Sequence, residues 1–565
     1  METLRKGLRA GGRSSATVGR VGGRVARAGA VFLLVLAGLA SSLLIARPSV
    51  GGTGTTTTNA ATTTVSTAPS VLVVTGHGYG HGLGMSQWGA YGYARHGFTY
   101  DRILAHYYRG TTIEQARGRT LRVLLAQAKS VTLGSTAAWS VTDASGTRVP
   151  LDSGTLELGS TLELDAHPEL SPPFSFTSPA PLTIDGHAYR GKLVVSSDGK
   201  LVSVIDYVGL EQYLKGVVPS EMPSTWPAAA LEAQAVAARS YALANLVKTG
   251  PFDLYGDSRS QAYGGVGVES PATSTAVDAT AGLVLEYDGK VADALFHSSS
   301  GGRTVSSLEA TGVAVPYLVS VADPYDTLSP EHDWGPLLFD AAKLQTTLKL
   351  PAAVTGAAVT DGPSGRVKTL ELSTGDDAPV PFTGSQLRVA LDLPSTWFDP
   401  VLLGLQSSVR TVAYGAAATL LGTAGDADVT LEAKPAGTRS WVAAGTPAPA
   451  TDGSFSLSVK PRLTTVYRLA YGAARVGLVT VAVAARVTAA VSAAGVSGTA
   501  KPASAGSPVQ LLRRDGAVWT IASSTVTDAA GGFGFGGSPA AGTYRVRVMP
   551  GHGLVPGLSA QMTVP

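Results

Sequence analysis

Residues 213–247 read YLKGVVPSEMPSTWPAAALEAQAVAARSYALANLV and contain the one strong helix pattern of the chain. Pro227 suits a first helical position and Thr225 suits a helix N-cap, so the sequence predicts a helix from about Pro227 to Val247. Its dense alanine content predicts that this helix is buried or tightly packed. Glu221 precedes the helix, in a predicted rigid turn between two prolines.

Strand patterns flank this helix on both sides. They are residues 121–126, 192–197 and 201–208 before it, and residues 281–289 and 366–373 after it. Many strands with one long helix favour an α+β domain, which we place at residues 71–400.

After residue 398 the composition becomes that of an all-β protein. Residues 405–484 and 485–565 look like two copies of one module of about 80 residues. A Trp–Tyr pair recurs in both copies, 26 residues apart at Trp441 and Tyr467 and 25 residues apart at Trp519 and Tyr544. We predict two small all-β, immunoglobulin-like sandwiches with these aromatic side chains in their cores.

The N-terminal region carries a strong charge asymmetry. The chain of 565 residues has a formal net charge of +3, but residues 1–27 hold seven Lys or Arg and one Glu, which leaves −3 for the rest. Basic charge on a tail rather than on a folded domain argues against a nucleic-acid partner. The chain has no Cys, which excludes disulfides and thiolate metal sites.

Residues 28–46 are uncharged and mostly apolar, and as a helix they would be about 28 Å long, close to the thickness of the hydrocarbon layer. They predict a transmembrane anchor, with residues 1–27 as a cytoplasmic tail and the bulk of the chain outside. A cleaved secretory signal is the alternative. In either case the folded part is exported, behind a Thr-rich flexible linker at residues 47–70.

A glycine-rich stretch at residues 76–90 (GHGYGHGLGMSQWGA) is a candidate binding loop. Its glycines argue against a helix and allow a ligand to approach the backbone. His77, His81 and Gln87 are its candidate ligand-binding residues. The alternative is a tight β-hairpin with partly buried histidines.

Glu221 is the candidate general acid. A carboxyl group among Val, Met and Trp side chains would be partly desolvated, which raises its pKa as acid catalysis near neutral pH requires. The alternatives are an exposed loop carboxylate and a capping residue of the following helix. On that helix Gln234 and Tyr241 share a face, as do Glu232 and Arg239, and these side chains either line a groove or simply face solvent.

At these residues the chain resembles the sporulation stage II protein D (SpoIID/LytB) family. The matching stretches are residues 81–94, 189–195, 213–243, 261–265, 276–302 and 317–326. The resemblance covers about residues 71–398. Residues 81–94 usually lie near the end of such a domain but open it here, which resembles a circular permutation and requires that the two ends of the domain lie close together.

The resemblance implies a peptidoglycan-acting protein whose best-understood activity is lytic transglycosylation, with Glu221 as the catalytic acid. Arg239, Tyr241 and the segment containing His297, Ser298 and Ser300 match positions that are taken as substrate-facing. In this reaction the C6 hydroxyl of muramic acid attacks its own anomeric carbon, so one protein carboxyl is enough. Some relatives bind zinc through His and Cys near the segment 257–263, but that segment here has neither residue type, so we expect no metal and no cofactor.

Two other functions are compatible with the same sequence features. The chain would be a non-catalytic peptidoglycan-binding protein or an amidase enhancer if the same groove only holds glycan, in which case a cell-wall amidase would be its partner. It would be an adhesin if the C-terminal modules supplied the function.

Overall fold

The computed structural model describes residues 70–375 and 378–564. The predicted tail (1–27), the predicted membrane segment (28–46) and all but the last residue of the predicted linker lie outside these residues. Within the described residues, no helix combines the length and the apolar character needed to cross a bilayer.

The described residues form eight α-helices: α1 (Gln87–Arg95), α2 (Tyr100–Tyr107), α3 (Leu210–Glu221), α4 (Ala228–Ala244), α5 (Pro271–Ala279), α6 (Ser307–Thr311), α7 (Ala341–Leu348) and α8 (Gly384–Ala390).

The first twenty-two strands described lie between residues 71 and 407: β1 (Val71–His77), β2 (Met85–Ser86), β3 (Thr112–Gln115), β4 (Thr120–Ala128), β5 (Ser130–Ser135), β6 (Trp139–Thr142), β7 (Arg148–Leu151), β8 (Gly154–Gly159), β9 (Phe174–Thr177), β10 (Leu182–Ile184), β11 (His187–Tyr189), β12 (Lys192–Ser197), β13 (Val202–Gly209), β14 (Leu254–Tyr255), β15 (Leu283–Tyr287), β16 (Lys290–Val291), β17 (Phe296–His297), β18 (Asp333–Asp340), β19 (Gly356–Asp361), β20 (Val367–Ser373), β21 (Val380–Thr383) and β22 (Phe398–Ser407).

The later strands are β23 (Thr411–Ala413), β24 (Ala418–Thr423), β25 (Thr430–Pro435), β26 (Val442–Gly445), β27 (Ser454–Val459), β28 (Thr465–Tyr471), β29 (Ala474–Ala484), β30 (Arg486–Ser492), β31 (Gly495–Lys501), β32 (Pro508–Asp515), β33 (Val518–Val526), β34 (Gly532–Gly536), β35 (Gly542–Val548), β36 (Gly557–Leu558) and β37 (Met562–Val564).

One β-sheet and a helical layer position Glu221 and the long helix. A seven-stranded sheet has the order β14-β4-β13-β12-β9-β6-β7. Strand β13 leads directly into α3, and α3 packs on α4 and α5. The fold is therefore mostly β with a helical layer, which agrees in part with the predicted α+β domain.

The two ends of the predicted 71–400 domain are neighbours. Strand β1 pairs antiparallel with β22, with Val71 opposite Leu403 and Gly76 opposite Phe398, and on its other edge β1 pairs with β18. The early position of the glycine-rich segment is therefore compatible with one fold, as the permuted order requires.

The long helix begins close to where the sequence predicts it, but three local predictions differ. Pro227 is the N-cap of α4 without a side-chain cap bond, so Thr225 does not cap the helix. Glu221 is not in a turn: it is the last residue of α3, which continues through Pro219. Gln87 is the first residue of α1, so a helix begins inside the stretch predicted to be irregular.

Helix α1 contains two glycines because its surroundings leave no room for a Cβ. A Cβ at Gly89 would lie 2.0 Å from the hydroxyl oxygen of Tyr107, and a Cβ at Gly92 would lie 2.4 Å from the carbonyl oxygen of Tyr325. Close packing and the N-cap bond from the Gly89 N–H to the Ser86 hydroxyl offset the low helix propensity of glycine.

The C-terminal residues form sheets that enclose two further cores. The first core draws on β24, β25, β27 and β28 and also contains Val73 and Leu403, so it is continuous with strands β1 and β22. The second core contains residues of β30–β32, β34, β35 and β37. Sheets on two sides of one core are what a sandwich requires, while the immunoglobulin-like form and the domain limits stay predictions.

The aromatic pairs of the two modules differ from the prediction in one respect. Tyr467 and Tyr544 are core residues, as expected. Trp441 and Trp519 are only partly buried, and each lies under an arginine side chain, Arg468 and Arg545 respectively.

The crowding around Gly89 gives a stability prediction. The Gly89→Ala variant should lower the free energy of unfolding by about 2 kcal/mol, because its Cβ would force Tyr107 and its neighbours apart. Urea unfolding followed by tryptophan fluorescence measures the change. Gly118→Ala is the control, since a Cβ there meets no atom within 4 Å. Equal stability of the two variants would contradict the packing argument.

Candidate active site at the end of helix α3

The carboxyl group of Glu221 lies at the C-terminal end of α3, partly buried. Its Oε1 accepts a hydrogen bond from the Ala262 N–H at 2.9 Å. Burial raises the pKa of Glu221 above its ordinary value, and this hydrogen bond opposes the rise in part. The carboxyl group therefore combines a raised affinity for its proton with a fixed orientation, which is what a general acid needs.

The glycine-rich segment reaches Glu221 through Gln87. The side-chain amide nitrogen of Gln87 donates to the main-chain carbonyl of Glu221 at 2.9 Å and lies 3.4 Å from the side-chain oxygen of Gln234. The last carbonyls of a helix have no partner within the helix, so this bond satisfies a group that would otherwise lack one. Gln87 and Gln234 thus fix the backbone behind the carboxyl group.

Two tyrosines are close enough to Glu221 to feel its charge. Burial is the largest cause that raises the pKa of Tyr241 and of Tyr213, and the negative charge of Glu221 adds to both shifts. Asp293 also raises the pKa of Tyr241, and the ring of Tyr241 lies 6.3 Å from that of Phe296. Both tyrosines therefore stay protonated and can act only as hydrogen-bond donors or acceptors.

Three partly exposed aromatic side chains form a cluster, which we call the aromatic cluster, that sequence reasoning missed. The ring of Trp226 lies 4.8 Å from Trp88 and 4.7 Å from Tyr91, and Trp88 and Tyr91 are 5.5 Å apart. Trp88 follows Gln87, and Trp226 is five residues after Glu221. The available signal was the three-residue spacing of Trp88 and Tyr91, but it has meaning only on a helix, and the stretch was predicted to be irregular.

Arg239 does not fit the predicted substrate contact. Its side chain is fully buried and forms a bidentate ion pair with Glu211, at 3.0 and 2.6 Å. The remaining donors reach the carbonyl oxygens of Ala235, Val277 and Leu283. All five N–H groups are occupied, so Arg239 holds α4 to its neighbours.

The predicted segment at 297–300 is also mainly structural. Ser300 is buried and donates to Asp323 at 2.8 Å, and its N–H bonds to Asp326. Burial and the adjacent charge of Asp326 raise the pKa of Asp323 to about 7. The carbonyl of Ser298 accepts the Trp88 N–H at 3.0 Å, so this segment positions the aromatic cluster.

The three predicted histidines occupy two places. His77 contacts Asp333 at 2.6 Å and packs against the ring of Trp397, at the C-terminal end of β1 rather than beside Glu221. His81 and His297 form a pair with ring centroids 5.5 Å apart. Burial lowers the pKa of His297 well below its usual value. Burial, with the charges of Arg388 and Arg366, lowers the pKa of His81 to about 4.

Among the described residues, no group of three or more His, Cys, Asp or Glu side chains is placed to hold a metal ion. The segment 257–263 has no His or Cys, and its Asp257 is paired with Arg259 at 2.7 Å.

The pKa of His81 gives a prediction of pH dependence. Because this pKa is depressed in the folded state, the unfolded chain takes up the proton first as the pH falls. The contribution of neutral His81 to the free energy of unfolding should be complete above about pH 6.5 and be lost as the pH falls to about 4. Over this range the free energy of unfolding should fall by up to about 1.4 kcal/mol per pH unit. His81→Gln should flatten the fall in unfolding free energy over this window, measured by urea unfolding at several pH values. His187→Gln, at an exposed residue, should leave the curve unchanged; a parallel curve for His81→Gln would contradict the assignment.

Comparisons with known proteins locate relatives over this same region. Residues 198–287 match the family described as SpoIID, stage II sporulation protein. The chain is 39% identical over 142 residues to an uncharacterized protein of Brachyspira hyodysenteriae, covering 25% of this chain and 39% of that one. It is 41% identical over 121 residues to the amidase enhancer of Bacillus subtilis (21% and 16%), and 29% identical over 228 residues to the stage II sporulation protein D of the same organism (37% and 66%). The chain thus matches between 16% and 66% of the length of these relatives.

Proposed function

Because the chain belongs to the SpoIID/LytB family, through a domain that includes residues 198–287, we propose that it cleaves peptidoglycan glycan strands as a lytic transglycosylase with Glu221 as acid and base. Peptidoglycan lies outside the membrane, so the proposal places the folded part of the chain at the cell wall, by an anchor or by secretion.

One observation carries the proposal: the carboxyl group of Glu221 is partly buried and hydrogen-bonded, and Gln87 joins the backbone of Glu221 to the segment that carries the aromatic cluster. Its raised pKa favours the protonated form that can donate to a glycosidic oxygen. The Ala262 N–H leaves the second carboxyl oxygen available for the substrate. Gln87 holds the backbone at this residue, so the carboxyl group does not need to reorganise when glycan arrives.

The proposed step balances with this one carboxyl group. The acid proton of Glu221 moves to the glycosidic oxygen as the bond from that oxygen to the anomeric carbon of muramic acid breaks. The C6 hydroxyl oxygen of the same sugar bonds to the anomeric carbon, and its proton passes to the Glu221 carboxylate. The products are a shortened strand with a 1,6-anhydro end and the released strand with a free hydroxyl, and the enzyme regains its starting protonation state.

The aromatic cluster supports a sugar substrate. Pyranose rings have apolar C–H faces that pack on indole and phenol rings, and Trp and Tyr combine such a face with a polar edge. Trp88 follows Gln87, which binds the main-chain carbonyl of Glu221, and Trp226 is five residues after Glu221. Tyr241 and Gln234 are proposed to support the groove from α4, while His81, His297 and Ser298 support its floor.

The second candidate is a non-catalytic amidase enhancer, favoured by the name of one relative. The same aromatic cluster and carboxyl group would then hold glycan while a separate amidase acts on it. The two functions differ in one measurable outcome, which is whether glycan strands become shorter when this protein acts alone.

The Glu221→Gln variant tests the chemistry. It keeps the size and hydrogen-bonding ability of the side chain but has no acid proton, so the release of 1,6-anhydro products from purified glycan should fall at least about a hundredfold. Mass analysis of the products, with glycan carrying or lacking stem peptides, measures it. Glu114→Gln, at an exposed residue on β3, is the control.

Three outcomes would count against the proposal. Undiminished anhydro products from Glu221→Gln would refute the role of this residue. Products with reducing ends would show that water rather than the C6 hydroxyl is the nucleophile. Strands that bind the wild-type chain but stay uncut would favour the amidase enhancer.

The Trp226→Ala variant tests the aromatic cluster. Loss of a stacking ring should raise the KM for glycan by about tenfold, with a smaller effect on kcat, because the ring acts on binding. Trp226→Phe keeps an aromatic face and should restore most of the affinity. Steady-state kinetics on strands of defined length measure both variants, and an unchanged KM for Trp226→Ala would exclude the cluster from the binding surface.

A further inference from the structure

The two C-terminal modules repeat one surface feature, an arginine stacked on a tryptophan. The guanidinium carbon of Arg468 lies 3.9 Å from the ring centroid of Trp441, and that of Arg545 lies 4.0 Å from Trp519. In both modules the arginine directly follows the core tyrosine. The feature is therefore a repeated part of the module rather than an isolated contact.

Each of these arginines lies on the face of its sheet that points away from the core. Side chains alternate along a strand, and Tyr544, Val546 and Val548 of β35 are core residues, so Arg545 and Arg547 project from the opposite face. By the same alternation Arg468 projects away from Tyr467 and Leu469 of β28. The repeated stack thus lies on the outer surface of both modules.

The two copies differ in what stands opposite the arginine. In the first module Glu432 is the cross-strand partner of Arg468, with an ion pair of 2.7 Å, and it also pairs with Arg475 at 3.3 Å. In the second module the cross-strand partner of Arg545 is Leu512. The Arg545 Nε is buried without a hydrogen-bond partner. The second copy therefore retains the stacked cation but lacks the acid that neutralises it.

The neighbouring arginines are also without acidic partners. Arg513, Arg514 and Arg547 hydrogen-bond to Ala541, Gly516 and Gln510 respectively. Within the part of the chain that the structure describes, none of these three arginines lies within ion-pair distance of a carboxylate, and neither does Arg545. Arg514, Arg545 and Arg547 share the outer face of strands β32 and β35, whereas Arg513 is opposite the core residue Tyr544 and projects from the other face.

The same sign dominates the whole C-terminal region. Residues 405–564 hold thirteen Lys and Arg against six Asp and Glu, whereas residues 28–404 hold twenty-three against thirty-three. The net charge of −3 beyond residue 27 is therefore the sum of an acidic region and a basic C-terminal region. The sequence argument against a nucleic-acid partner did not consider this basic region.

We propose that the outer face of strands β32, β33 and β35, centred on Arg545 and Trp519, binds an anionic wall polymer whose phosphodiester groups repeat along its chain. The two terminal nitrogens of the Arg545 guanidinium can donate two parallel hydrogen bonds to one phosphate, and Trp519 holds the guanidinium plane in place. Several arginines on one face suit a polymer with repeated charges better than a single terminal carboxylate. The choice of a wall polymer rests on the proposed function, because that function places the folded chain at the cell wall. Binding by this arginine face does not depend on the role of Glu221.

Binding of poly(glycerol phosphate) to the full chain tests this assignment. Arg545→Gln should weaken binding about tenfold, since it removes a charge-assisted contact. Leu512→Glu should weaken binding similarly while keeping the arginine, because it supplies the acid that the first module has. Arg468→Gln is the matched control, because it removes the arginine from the equivalent stack of the first module, where Glu432 already neutralises it. Its affinity for the polymer should stay within about twofold of wild type. All variants keep residues 1–27, so any contribution of that tail cancels.

Thermal unfolding of each variant shows whether its fold is intact, and glycan cleavage by the same preparations separates this proposal from the role of Glu221. Wild-type binding by Arg545→Gln and Leu512→Glu would overturn the assignment. An equal loss with Arg468→Gln would show a general charge effect and would also overturn it. Tighter binding to DNA of matched length than to poly(glycerol phosphate) would assign the face to nucleic acid instead.

Discussion

The candidate site depends on one hydrogen bond, from the Gln87 side chain to the main-chain carbonyl of Glu221. It joins two segments that are more than 130 residues apart in the chain. A helix end presents carbonyls without intrahelical partners, so a donor that reaches one of them fixes the last residue, here the one that carries the carboxyl group. The aromatic cluster follows from the same contact, because Trp88 is the next residue after Gln87.

Strands β1 and β22 fix the position from which the segment that carries Gln87 begins. Their antiparallel pairing closes the ends of the 71–400 region on each other, so the segment that carries Gln87 starts from a strand that is held on both sides, by β18 and by β22. The pairing also places Val73 and Leu403 in the first C-terminal core. The 71–400 region and the first β-module are thus built on a shared sheet, β18-β1-β22-β24-β27.

Buried polar groups, rather than apolar packing alone, order the segment around residues 297–326. Asp326 accepts from the hydroxyl groups of Ser86 and Ser299 and from two backbone N–H groups, and Asp323 accepts from Tyr107 and Ser300. A buried carboxylate is tolerated only when its hydrogen bonds are satisfied, so these small polar residues are structurally required. They support the floor beneath Trp88 and do not need to contact substrate.

The sequence by itself determined the resemblance to the SpoIID/LytB family, the long helix at α4 and the strands β4, β12 and β13 before it, and it made Glu221 the candidate acid, because these depend on local pattern and on contiguous motifs. It did not determine that Glu221 ends a helix, that Gln87 begins one, or that Arg239 is buried while Trp226, Trp88 and Tyr91 share a surface. Those facts depend on contacts between distant segments. Glu211 neutralises Arg239 from another helix, and the close approach of Tyr107 and Tyr325 leaves room only for glycine at two positions of α1. Only the tertiary structure decided them, since a side chain's role follows from what surrounds it, and the surroundings of these residues come from elsewhere in the chain.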